Sequence, residues 1–160
     1  MTIEIERKFL IRSLPAPASL GKGDHLRQGY LVEEGDVTVR VRMTDAAAML
    51  TVKAGDGLQR TEVEVPVSRE QAEALWPYTE GRRIDKLRHR VELPGSSGLV
   101  AEVDVYAGAL TGLYTVEVEF DTVAAAEAFS PPAWFGVELT GDSRWSNAAL
   151  ARNGWPAQDP

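Results

Sequence analysis

Pairs of like charge, two residues apart, recur along this chain. Carboxylates stand at Glu4 and Glu6, Glu62 and Glu64, Glu102 and Asp104, and Glu117 and Glu119. Cations stand at Arg40 and Arg42, at Lys86, Arg88 and Arg90, and singly at Lys8, Lys53 and Arg60. Like charges on one face repel, which costs stability unless something bridges them. Paired carboxylates suit a hard divalent cation such as Mg2+ or Mn2+. Paired cations suit a polyanion: guanidinium forks clamp phosphate oxygens and ammonium groups add point charge. A site meeting both needs would take a highly charged anion together with a divalent cation.

Strands must position these groups. "IEIERKFLI" alternates Glu4, Glu6 and Lys8 with apolar neighbours, and "VTVRVRM" sets Val37, Val39, Val41 and Met43 against Thr38, Arg40 and Arg42. The same alternation runs through "LTVKA", "RTEVEVPV", "IDKLRHRVEL", "LVAEVDVY" and "YTVEVEF". Successive side chains on a strand point to opposite faces, so each run has one charged and one apolar face. A further strand is expected at roughly His25–Val32. Gly35-Asp36, Gly55-Asp56-Gly57 and Gly95-Ser96-Ser97-Gly98 supply tight connections. About eight hairpin-linked strands result, enough to close an antiparallel barrel.

Three helices are expected outside it. Ser68 caps the first, with Gln71 at the capping-box position, and it runs to about Trp76 before Pro77. The second follows Asp121-Thr122 and stops before Pro131-Pro132. The third is "SNAALAR", ended by Asn153-Gly154. "PAPASLGKG" is a loop or a short helical turn. The fold class is therefore α+β, mainly β, in one domain over residues 1–160.

Two orientations of the charged faces compete. The plainer one puts them in water. The other puts them inside, with the apolar outer faces covered by the helices. The uniform pairing favours the interior. Eight acids face eight bases when Lys8, Lys53, Arg60 and Arg90 are included, so an empty cavity would be near neutral. Such a cavity must be wet and internally paired, because desolvating unpartnered charges costs several kcal/mol each.

Composition limits the alternatives. The net charge of −7 argues against bulk electrostatic attachment to nucleic acid or anionic membranes. Cysteine is absent and histidine is limited to His25 and His89, so His/Cys zinc sites are not expected. No run approaches 18 apolar residues and no leader pattern opens the chain, so a soluble cytoplasmic protein is expected. "GKGDHL" lacks P-loop spacing, and the serines of "PGSSG" lack a nucleophile elbow. Asp85 and His89 form an expected surface pair. Trp134, Trp145 and Trp155 are expected to pack over a barrel end.

The assembled pattern resembles the CYTH superfamily of triphosphate tunnel metalloenzymes. Glu4-Ile5-Glu6-Arg7-Lys8 is similar to its Glu-x-Glu-x-Lys signature, and the later pairs follow in its order. "RQGYL" and "ELTGDSRWSNAALA" resemble its short bacterial branch. Leu87, His89 and Trp145 depart from that pattern. By alternation Leu87 and His89 face outward, which spares the site. The resemblance implies a closed eight-stranded tunnel that binds triphosphate and a divalent metal. It assigns Lys8, Arg40, Arg42, Lys53, Lys86 and Arg88 to the phosphate chain, with Arg60 and Arg90 as weaker candidates. Glu4, Glu6, Glu117 and Glu119 become the metal cluster. Glu62, Glu64, Glu102 and Asp104 either hold a second metal or hold the cations in place. Glu117 or Glu119 would orient the attacking water. Tyr30 resembles a tyrosine near the tunnel mouth, acting as gate or proton acceptor; a packing role is the alternative. The expected activity is hydrolysis of inorganic tripolyphosphate. An adenylate cyclase and a non-catalytic triphosphate binder are the alternatives, and a homodimer is compatible with the sequence.

Overall fold

The computed structural model describes residues 2–95 and 98–157. Eight strands form: β1 Thr2–Leu10, β2 Gly23–Glu34, β3 Val37–Met43, β4 Ala48–Ala54, β5 Gln59–Val67, β6 Arg83–Glu92, β7 Val100–Tyr106 and β8 Tyr114–Glu119. They close into a barrel in the order β1-β5-β4-β3-β2-β6-β7-β8, and every neighbouring pair is antiparallel. Closure leaves no unpaired sheet edge. Ser96 and Ser97 of the expected β6–β7 turn lie outside the described residues.

Helices α1 Pro17–Leu20, α2 Arg69–Leu75, α3 Val123–Ala128 and α4 Asn147–Asn153 lie on or against the barrel. The Ser68/Gln71 capping box starts α2, Thr122 caps α3 and Ser146 caps α4. Helix α2 covers Val41, Met43 and Ala48. Helix α3 and the following segment roof β1, β7 and β8 through Phe9, Val103, Val116, Val118, Phe120, Ala126 and Phe135.

The helices do not cover the whole apolar exterior. Val32, Val39, Val52 and Val63 form one row across four neighbouring strands. Val32 and Val63 are exposed, as are Val65 and Ile3. The reason is reach: a seven-residue helix is about 10 Å long, roughly two strand spacings. Short helices cannot roof eight strands.

Two local features re-aim side chains. A register shift between Tyr30 and Val32 marks a bulge in β2. Beyond it Val32 opposes outward Val39, and Glu33 turns inward beside Thr38. The C-terminal segment supplies the second. Its Val137, Leu139 and Gly136 hydrogen-bond the β1 backbone at Leu10 and Lys8. Arg7 faces outward and forms a two-point ion pair with Glu138 at 2.7 and 2.8 Å. This leads residues 139–153 to one end of the barrel. There Leu139, Trp145, Ala148 and Leu150 pack on inward-facing Tyr30, Ile84 and Tyr106.

Gly29, in "RQGYL", sits where a Cβ would lie 2.4 Å from Thr79 Oγ1. Thr79 is fully buried and pinned by hydrogen bonds to the Trp76 carbonyl and from Arg83 Nε. Gly29→Ala is therefore expected to destabilise the fold by about 1–3 kcal/mol through overpacking. Urea denaturation of the variant beside the parent measures it.

Candidate active site inside the barrel

The charged faces point inward. A cavity of about 700 Å³ fills the barrel and is lined by every residue named above as a site candidate except Asp104. Strand pairing brings the first and last strands together, with Glu6 opposite Glu119 and Lys8 opposite Glu117. Leu87 is exposed and lies outside the cavity lining, as alternation requires.

Most inward charges are already paired. Lys86 Nζ donates to Asp104 Oδ2 at 2.6 Å, and Arg88 donates to both Asp104 oxygens at 2.7 Å. Both Asp104 oxygens are thus occupied by cations beneath the cavity wall. Arg88 also pairs with Glu117 at 2.7 Å and with Glu102 at 2.5 Å. Lys53 pairs with Glu4 at 2.7 Å and Glu62 at 3.1 Å. Arg60 bridges Glu4 and Glu6, and Arg42 meets Glu64 at 2.9 Å. Arg90, more than half exposed, pairs with Asp24 and Glu102.

Two groups break the pattern. Arg40 is buried and faces the cavity, yet among the described residues it makes no ion pair with a carboxylate. Tyr30 is its hydrogen-bonding neighbour, and its Nε has no partner. Close by, the Gln28 amide donates to the Tyr30 hydroxyl at 3.2 Å while Gln28 Oε1 is buried and unsatisfied. On the opposite sign, Glu119 makes no ion pair among the described residues.

The titration behaviour follows from this arrangement. Burial pushes the Glu117 carboxyl up, but Arg88, Lys8 and Lys86 outweigh it and hold it well below the usual carboxylate range. Burial pushes Glu6 up to about 7, with Glu117 and Glu4 adding repulsion against Lys53 and Arg60. Burial, then Glu4, Glu102 and Glu62, raise Glu119. Burial brings Lys86 down to about 8 despite Asp104. The β1–β8 wall therefore carries carboxylate charge that its own cations do not fully answer.

That excess fits a divalent cation, whose oxygen ligands would come from Glu6 and Glu119 with Glu4 beside them. The fit is one of charge and donor type. Among the described residues no three carboxylate or histidine side chains are gathered closely enough to hold a metal.

Some placements follow the sequence reading and others differ. Tyr30 lies at the end packed by α4, buried in that cluster and among the residues lining the cavity. Asp85 pairs with His25 across β2 and β6 at 2.8 Å, and His89 meets the Gly21 carbonyl instead. Cross-strand neighbours sit closer than residues four apart along one strand. Trp145 packs at the barrel end, Trp134 stacks edge-on against Phe135, and Trp155 is exposed. Gln28 was missed, although it shares the inward parity of Tyr30. Glu33 was missed because the bulge reverses its face.

Relatives match this geometry. Residues 2–130 match the CYTH domain family. The inorganic triphosphatase of Nitrosomonas europaea is 46% identical over 149 residues, covering 92% of this chain and 96% of the relative. That of Acetivibrio thermocellus is 38% identical over 152 residues, covering 94% of each. The crystal structure of the inorganic triphosphatase NE1496 superposes with a TM-score of 0.68 at 42% identity, over 95% of this chain and 99% of that one. No described helix is long and apolar enough to cross a membrane. With its signature carboxylates and cations turned into a closed eight-stranded barrel, this chain belongs to the CYTH family.

Proposed function

We propose that the barrel hydrolyses inorganic tripolyphosphate, or a closely related triphosphate, with Mg2+ or Mn2+ as cofactor. The observation that carries this is Arg40: among the described residues a buried guanidinium in no ion pair with a carboxylate, flanked by Tyr30 and Gln28 and lining the cavity. Against burial, Tyr30 and Glu62 already favour the charged form of Arg40, and its unpartnered Nε leaves a donor that a phosphate oxygen would take. The two relatives named as inorganic triphosphatases support the same substrate. So does the lining, whose only aromatic rings among the described residues are Tyr30 and Trp145, both buried at the α4 end. Neither is free to stack a nucleobase.

In this reading Arg40, Lys8, Lys86 and Arg88 hold the phosphate chain, with Arg42 and Lys53 reaching it as their carboxylate partners are released. Arg60, which bridges Glu4 and Glu6, orders the acidic wall. Glu4, Glu6 and Glu119 would hold a divalent cation, which would supply positive charge to stabilise the phosphate chain. Glu117 is committed to Lys8 and Arg88 and is a weak base. Glu119 is the carboxylate free to orient water and accept its proton. Glu62, Glu64, Glu102 and Asp104 hold cations in place. Lys86, at about 8, can exchange a proton near neutral pH.

Phosphate release from tripolyphosphate, pyrophosphate and ATP, each with Mg2+ or Mn2+, tests the activity. Turnover of tripolyphosphate well above the other two is expected; cyclic AMP formation, or binding without turnover, would overturn it. Arg40→Ala should lower kcat/KM by about 100-fold, and Glu4→Ala or Glu119→Ala should abolish turnover.

The raised Glu6 carboxyl makes a separate prediction. Its folded pKa lies above its ordinary value of 4.5, so its protonated form is the favoured one in the fold. In the metal-free protein its contribution to stability therefore declines as pH climbs from 4.5 to about 7. A cation must displace that proton. Calorimetry should find Mn2+ bound about tenfold more tightly at pH 8 than at pH 6. Glu6→Gln should flatten that dependence.

A further inference from the structure

The "SRWSNAALA" stretch is more than a stopper. Closing a barrel end needs only apolar bulk, which Leu139, Trp145, Ala148 and Leu150 provide. Yet the segment also carries two polar threads into the cavity wall. The Trp145 carbonyl accepts a hydrogen bond from Lys8 Nζ at 2.9 Å. Two residues on, Asn147 Oδ1 accepts one from the Tyr106 hydroxyl at 2.7 Å. The Tyr106 ring in turn lies beneath Lys86, with Nζ 5.4 Å from its centroid. Lys86 and Tyr106 are also directly opposed across β6 and β7.

We propose that Asn147 is a positioning residue: through the Tyr106 hydroxyl it fixes the ring against which the Lys86 ammonium is set for the phosphate chain. This rests on the tripolyphosphatase reading given above.

The physical case is one of degrees of freedom. A lysine ammonium is a point charge on a flexible four-carbon stem with three donors. Asp104 takes one donor and shares its oxygens with Arg88. Among the described residues this is the one hydrogen bond that Nζ makes, so it leaves two of the three donors undirected. An aromatic face offers a second, broad attraction for a cation. The face helps only if the ring is held, and Tyr106, 2% exposed, is held at its far end by Asn147 and lies 3.4 Å from Thr115 Oγ1. Asn147 is free for this work because capping of α4 falls to Ser146, whose hydroxyl accepts from Ala149. Tyr106 is buried while Asn147 is half-buried, so the tyrosine hydroxyl left alone would be an unsatisfied buried donor. Phe and Ala would pack the end without that risk.

The same segment thus reaches tunnel cations on two strands, Lys8 directly and Lys86 through the ring. The segment lines the same cavity as these cations, and a displacement near 1 Å at a catalytic group can cost about 100-fold in rate.

The test is steady-state hydrolysis of tripolyphosphate by Tyr106→Phe, Asn147→Ala, the double variant and Asn147→Asp, with melting temperatures for all. Each single variant should lower kcat about tenfold with KM changed less than about twofold. The double should be no worse than the weaker single, because both remove one interaction. Asn147→Asp keeps the acceptor and should stay near the parent. Leu150→Ala, which loosens only the apolar packing, should lower the melting temperature without this kcat signature. Variants with parental kcat, or a double whose loss is the product of the singles, would overturn the proposal. An inactive parent protein would overturn the underlying tripolyphosphatase reading, and this proposal with it.

Discussion

Charges turned into a closed ring of strands must be answered there, because water can reach them only through the cavity. The rest of the molecule follows from that constraint. Burying two ions costs several kcal/mol each unless geometry and hydrogen bonding return it. Here the answer is a network in which Arg88 touches three carboxylates and Asp104 holds two cations. The network is nearly complete. Among the described residues two loose ends of opposite sign remain: the Arg40 guanidinium, and the Glu119 carboxylate beside a Glu6 that burial drives toward protonation. A polyanion and a divalent cation, arriving together, would complete both.

The scaffold makes that incompleteness stable. Barrel closure fixes the register in which Glu6 faces Glu119 and Lys8 faces Glu117. A one-residue slip would turn every charge outward and every valine inward. The bulge in β2 shows how local that control is. It turns Val32 out and Glu33 in, where Glu33 meets Arg152 of α4 at 3.0 Å. The end packed by α4 then shares its residues between closure and the cavity wall. The cost of so few and such short helices is the row of valines on β2 to β5 that faces solvent.

The sequence disclosed the barrel because period-2 alternation is strong in seven of its runs, and like-charge pairs would be unstable on a plain solvated face. Parity placed Arg40, Lys53, Lys86 and Glu119 on the charged faces, and the uniform like-charge pairing turned those faces inward. Partner choice was not legible. His25 pairs with Asp85 across two strands far apart in sequence, and nothing in the spacing of Asp85 and His89 warned against the local pair. Asp104 looks like Glu102 in the sequence, but only the fold buries it between Lys86 and Arg88. Glu33 was hidden by a bulge that alternation cannot see. Gln28 was overlooked because a neutral amide does not stand out among ionised groups.

The family match and the geometry converge on one picture, a closed barrel with its charges turned inward, in which Arg40 and Glu119 stand outside the ion pairs of the described residues. Crystals grown with Mn2+ and a non-hydrolysable tripolyphosphate analogue test it most directly. The account predicts analogue density inside the barrel against Arg40, and an anomalous Mn2+ peak between that density and the wall carrying Glu6 and Glu119. Analogue and metal found only on the outer surface, with the interior ion pairs intact, would contradict it.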